Sequence, residues 1–243
     1  MPAEHEIEER FARVYGSPGE APRVAGLLRA IRPLLLICFI LGYLLRAALP
    51  YPRISLSGVG ILLLLVAGAA AYLLIRSGRR LSCFLKGAEG EEEVARRLAF
   101  LDSDYAVFHG LRLDRRGNFD HVVVGPAGVF VIETKNWKGR AAFRDGRIFI
   151  NGREPSRSPL RQVKEAVAAL VDYFDREGVG EIPVRPVVCF FSTELPEEVS
   201  NINGVLVCRA ERLPQLLGET LEGPVDPALR RAAEAALKKA LES

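Results

Sequence analysis

Cysteine is scarce and scattered. The four are Cys38, Cys83, Cys189 and Cys208, and no two stand at the spacing of a CxxC metal or redox motif. They lie in or near apolar stretches and read as buried free thiols in a reducing compartment. A large charge excess is also missing. The net charge is +3, too small to imply an acidic partner by itself. From Leu81 onward there are 23 basic and 25 acidic residues, so that part of the chain is near neutral. There is no internal repeat and no low-complexity segment. A cleaved signal peptide is not expected, because the first apolar run begins beyond residue 30. Histidine is rare too, and His109 and His121, each without a partner legible in sequence, read as structural or surface residues.

What the chain does have, first, is two long apolar runs. Pro33–Leu49 is interrupted only by Arg46, and Ile54–Ile75 is 22 residues without a charge. As helices they would be about 25 and 33 Å long, and the second is long enough to cross a bilayer. Little more than Tyr51-Pro52-Arg53 separates them, which predicts a helical hairpin over residues 33–76. Arg23, Arg29 and Arg32 precede it, and Arg76, Arg79, Arg80 and Lys86 follow it, against Arg46 and Arg53 near its turn. The positive-inside rule then places both termini in the cytoplasm of a two-span membrane protein. Residues 1–32 are polar and predict an arm with a short helix at most. Residues 81–243 form the cytoplasmic domain.

The densest chemistry lies between Asn118 and Lys135. Val122–Val124 and Val129–Ile132 are strand formers, and Gly125-Pro126-Ala127-Gly128 is turn chemistry. A turn there pairs Val124 with Val129 and brings Asp120 opposite Glu133. Period 2 puts Lys135 on the face of Glu133. Facing carboxylates lie roughly 5 Å apart at Cβ and repel, which a cation between them relieves. Mg²⁺ (or Mn²⁺) takes carboxylate oxygens, waters and a substrate phosphate. Two acids and a lysine on one strand pair therefore suit phosphodiester hydrolysis. Asp120 and Glu133 hold the metal in this reading, and Lys135 orients a water or offsets phosphate charge.

Further residues surround this stretch. Residues 86–101 predict a helix with Val94, Leu98 and Leu101 on its apolar face, where Glu91 is the odd carboxylate. Ala141–Arg144 and Ile148–Ile150 flank Asp145-Gly146 as a hairpin. From Lys135 to Lys164 there are nine basic residues and two acids, a local excess directly after the site. Trp137 reads first as a packing residue and second as a base-stacking one. Ser158-Pro159 starts a helix to about Arg176, with Leu160, Val163, Val167, Leu170, Val171 and Phe174 on its core face. Gln162, near its start, is within reach of a substrate phosphate or bound water. Strands over Val184–Phe191 and Val205–Cys208 follow, then helices over Leu213–Leu221 and from Asp226-Pro227 to Leu241.

Asp120 with Glu133-x-Lys135 fits the D…(D/E)xK signature of the restriction-endonuclease-like superfamily. The string FDHVVVGPAGVFVIETKNWKG resembles the nuclease-related domain family, NERD. Gly87-x-x-Gly90-Glu91 upstream and Pro159-Leu160-x-Gln162 downstream resemble it as well, and the likeness covers roughly residues 85–200. It implies an α/β fold with a core of helix, three-strand antiparallel meander, helix and strand. It also places Glu91 near the active site, where it would take a second metal or a metal-bound water. The expectation is a membrane-anchored, Mg²⁺-dependent nuclease acting on DNA or RNA at the cytoplasmic face. The alternative is a membrane-tethered module that binds nucleic acid without cutting it. A protein-binding membrane protein is a third class, which the basic run argues against.

Overall fold

The computed structural model describes residues 11–18, 32, 35–44, 64–65, 68, 72, 85–113, 117–219 and 223–242. The chain divides into two compact units, one of Ala21–Lys86 and one of Met1–Glu20 with Gly87–Ser243. In the first, the described residues are all helical. The turn of the expected hairpin and most of its second span lie outside the described residues. Among the described residues no helix is long and apolar enough to cross a membrane, so the expected two-helix hairpin is not among the elements seen.

The second unit is a mixed sheet covered by helices on both faces. Its strands are β1 (Arg13–Gly16), β2 (Ala106–Leu113), β3 (Gly117–Gly125), β4 (Gly128–Lys135), β5 (Gly139–Arg144), β6 (Arg147–Ile150), β7 (Val184–Phe190), β8 (Thr193–Glu194), β9 (Val199–Ile202) and β10 (Val205–Arg209). Its helices are α1 (residues 85–98), α2 (Pro159–Glu177), α3 (Leu213–Glu219) and α4 (Pro227–Glu242). The seven-stranded sheet runs β1-β2-β3-β4-β7-β10-β9, and β6-β5-β8 form a smaller one. β2, β3 and β4 make an antiparallel meander, with β7 parallel to β4 and β10 parallel to β7. The turn pairs Val124 with Val129, the register that its Gly-Pro-Ala-Gly chemistry implies.

Alternation along the strands divides the core in two. Val122, Val124, Val129 and Val131 join Leu160, Val163, Leu170 and Phe174 of α2 and Ala233 and Leu237 of α4. Val107, Val123, Phe130 and Ile132 join Val94 and Leu98 of α1 and Leu213, Leu216 and Leu217 of α3 on the other face. Each fully buried Leu or Phe here contributes about 1.5–3 kcal/mol. Val171, placed on the core face of α2 from periodicity, is instead 38% exposed. α2 begins where Ser158 caps the Arg161 N–H, and ends where Gly178, at φ 69°, turns its N–H back to the last carbonyls.

The N-terminal stretch departs from the expected arm. Arg13–Gly16 form an edge strand parallel to β2, in register with Ala106–His109. Tyr15 stacks on Phe108 with centroids 4.9 Å apart. Cys189 and Cys208 are buried register partners on β7 and β10. The hydrogen bond with Cys208, together with burial, raises the Cys189 thiol well above its ordinary pKa, so it stays protonated and inert. Cys38, expected to be buried, is exposed.

Candidate active site

The site sits where β3 and β4 part. Their ladder ends at His121↔Ile132, one pair short of Asp120 and Glu133. From there β4 continues along β7, through Glu133↔Val188 to Lys135↔Phe190. β3 continues along β2, whose register passes from His109↔His121 to Leu111↔Phe119. Between those two pairs stands Gly110, at φ 61°, a conformation that a side chain would strain. The Asp120 carboxylate fills the opening: its Oδ2 accepts a hydrogen bond from the Thr134 N–H at 2.8 Å. A side chain thus satisfies a main-chain donor that the ladder leaves unmet.

Asp120 lies two residues from Val122, and Glu133 and Lys135 lie two and four from Val131, so they belong to the face covered by α2. Lys135 Nζ donates to Glu133 Oε1 at 2.5 Å. Gln162 Nε2, from the first turn of α2, donates to the same oxygen at 3.1 Å. Both side chains of the lysine–glutamate pair are mostly buried, 15% and 12% exposed. Glu91 comes from α1, whose apolar residues pack on the opposite face. It reaches this end of the sheet because Gly90 lets the helix approach the exit of β4. A Cβ at Gly90 would lie 2.9 Å from Asn136 Cβ and 3.5 Å from Thr134 Cγ2.

Burial raises the Asp120 carboxyl well above the usual carboxylate range. The charges of Glu133 and then Glu91 push it further, against the Thr134 N–H and Lys135. The five residues singled out in sequence therefore act on one another at one sheet end. Three contributions were not legible in advance: the Thr134 N–H, the close approach of Gly90, and the bond from Ser192 Oγ to Asn136 Oδ1 at 2.7 Å. The Gly87-x-x-Gly90-Glu91 block was the only signal for any of them.

The donors are hard oxygens of the kind Mg²⁺ takes. The proton affinity of Asp120, raised in part by two neighbouring acids, marks negative charge that a cation would relieve. Among the described residues no three His, Cys, Asp or Glu side chains gather as a ready ligand cluster. Two carboxylates completed by water and phosphate are the arrangement that fits.

His109 and His121 lie on the far face, away from Asp120. Their Nδ1 atoms are 2.7 Å apart, so one donates and the other accepts. The rings meet edge to face, with centroids 4.9 Å apart. Burial lowers His109 to about 4, and burial with the neighbouring His109 also holds His121 well below the ordinary histidine value. They are packing residues held neutral. Trp137 packs as well, 5.8 Å from the Phe190 ring.

Residues 86–191 match the family model of the nuclease-related domain, NERD. The match runs from α1 through β7 and takes in Glu91, Asp120, Glu133, Lys135 and Gln162. β1, β8, β9, β10, α3 and α4 lie outside the matched segment, although β1, β9 and β10 extend its sheet. The general context of NERD is the PD-(D/E)xK superfamily. No curated protein and no solved structure shows a significant match.

Proposed function

We propose that this protein is a metal-dependent nuclease hydrolysing phosphodiester bonds of DNA or RNA, with a restriction-endonuclease-like core. The observation that carries the reading is the acid cluster at the β3–β4 opening. There Asp120 is repelled by Glu133 and Glu91, while Glu133 is held by Lys135 and Gln162, all inside the NERD match. Asp120 and Glu133 would hold Mg²⁺ or Mn²⁺, with Glu91 at a second ion or a coordinated water. When bound, such an ion lowers the pKa of its water and neutralises charge on the phosphate. Lys135 orients the water or offsets phosphate charge, and Gln162 fixes Glu133 and positions substrate.

The same reading places the domain at the cytoplasmic face of a membrane, anchored by residues 33–76 as two spans. The uncharged run Ile54–Ile75 supports this. So does the exposure of Leu35, Leu36, Phe39, Tyr43, Leu64 and Leu65, each more than half accessible.

One contact favours the second reading, a module that binds nucleic acid without cleaving it. Lys135 already neutralises Glu133, as a metal would. Cleavage decides between them. The full chain, kept in detergent, should cut plasmid, linear DNA or RNA with Mg²⁺ or Mn²⁺ and not with chelator. Metal at one hundred times its Kd should stabilise the fold by about 2.7 kcal/mol. Asp120→Asn or Glu133→Gln should remove that gain and the activity, while Lys135→Ala should keep the gain and lose cleavage. Metal-independent melting and no cleavage would put the binding module first.

A further inference from the structure

The β5–β6 hairpin leaves β4 directly after Lys135, yet it contributes nothing to the acid cluster. It is two-faced. Phe143, Ile148 and Ile150 pack against the α2-side core, and Ala141 on the same face is buried. Alternation puts Arg140, Arg144 and Arg147 on the other face, and Arg144 and Arg147 are register partners. Lys138 and Arg153 stand at the open end of the ribbon. From Lys138 to Arg153 there are five basic residues and one acid, Asp145.

Two observations separate this face from an ordinary solvated one. First, its charges are weakly compensated. Arg140 meets Glu194 at 2.7 Å with side chains 85% and 68% exposed, and Arg147 meets Glu154 at 3.2 Å, 64% and 44% exposed. Such exposed pairs contribute little and exchange readily for another anion. Lys138, Arg144 and Arg153 are exposed and have no acid partner among the described residues.

Second, the ribbon is held rigid at both ends. At the base, Asn151 Oδ1 accepts from the Arg140 N–H at 3.0 Å, and its Nδ2 donates to the Lys138 carbonyl at 3.3 Å. At the tip, Asn203 Nδ2 donates to the Gly146 carbonyl at 3.2 Å. Lys164 Nζ holds the Asn203 carbonyl in turn, at 2.7 Å. Fixed cations recognise a repeating anion with less ordering cost than mobile ones.

We propose that the outward face of this hairpin docks the phosphodiester backbone of a nucleic acid, independent of sequence, and leads it to Asp120 and Glu133. The proposal rests on the nuclease reading. Nucleic acid fits better than an anionic membrane because the ribbon is continuous with the site. Arg140 is five residues past Lys135, at most about 18 Å of chain. A duplex carries a charge about every 1.7 Å, so one bound stretch presents phosphates to both.

The test measures binding of the full chain in detergent to a short fluorescent DNA duplex and to the matching RNA, with chelator present, between about 50 and 200 mM salt. The triple variant Lys138→Ala, Arg144→Ala, Arg153→Ala is compared with wild type, and melting temperature confirms that both are folded. The variant should bind more weakly, equally so for unrelated sequences, and its log K against log salt slope should be shallower by about 3. Returning lysine at 144 and 153 and at the native Lys138 should restore the slope. Equal slopes in a wild type that still cuts with Mg²⁺ would overturn the hairpin and leave the nuclease reading intact. Loss of binding to phosphatidylserine vesicles with an unchanged nucleic-acid isotherm would overturn it in favour of a membrane-facing surface. No binding by wild type at any salt, together with no cleavage, would remove both.

Discussion

Asp120 is pulled in two directions: the Thr134 N–H favours its charged form, while burial and two neighbouring acids oppose it. Its raised pKa means that ionisation disfavours the folded state once pH exceeds the unfolded value. Asp120→Asn keeps an acceptor for Thr134 and removes the repulsion, so the metal-free protein should be no less stable near neutrality. His109 has the opposite sensitivity. Its pKa is about 4 when folded and 6.5 ordinarily, so the unfolded chain takes up the proton first. Its contribution is complete above about pH 6.5 and is lost as pH falls toward 4. At pH 5 that loss is about 2 kcal/mol. Urea unfolding at pH 7 and pH 5 should show a decline that is smaller in His109→Asn. An equal decline in both proteins would mean that His109 is not held neutral.

At the scale of elements, β1 is the least local piece of the sheet and depends on one carboxylate. Glu234 of α4 accepts from Arg13 at 3.2 and 3.0 Å, from Tyr15 Oη at 3.1 Å and from Lys238 at 3.0 Å. Burial alone would raise the Glu234 carboxyl, but the bonds from Arg13, Lys238 and Tyr15 overcome it and hold the group below its usual value. The glutamate side chain is 13% exposed, so losing it strands partners that are partly dry. Glu234→Ala should cost about 1–2 kcal/mol. Amides of residues 13–16 should then exchange faster while those of β2 do not change. Uniform acceleration across the sheet would show that β1 is not a separate anchoring element.

For the whole molecule, the proposed site requires substrate and domain on the same side of the membrane. Basic residues flank both ends of the proposed hairpin and are fewer at its turn, so the positive-inside rule would put both termini in the cytoplasm. In a background with Cys38 and Cys83 replaced by serine, Tyr51→Cys should react with an impermeant thiol reagent added outside intact cells. Ser243→Cys should not. The reverse pattern would remove the cytoplasmic placement and, with it, access to nucleic acid.

Local pattern was enough for much of this chain. Turn chemistry at Gly125–Gly128 and period 2 carry the β3–β4 register, and Ser158-Pro159 carries the start of α2. These were legible because each depends on residues within a few positions of one another. The edge strand β1 was not legible: Arg13–Gly16 are four residues in a mostly polar stretch, and their strand pairing comes from β2 and Glu234, far along the chain. Nor was the parting of β3 from β4 beyond His121 and Ile132, or the bond from Gln162 to Glu133, because both need strands and helices already packed. The His109–His121 contact joins two residues whose partner could not be read from either one alone. Sequence determined which polar side chains share one face of the strand pair. Tertiary structure alone decided what each one touches, because hydrogen bonds and burial are set by neighbours that spacing does not name.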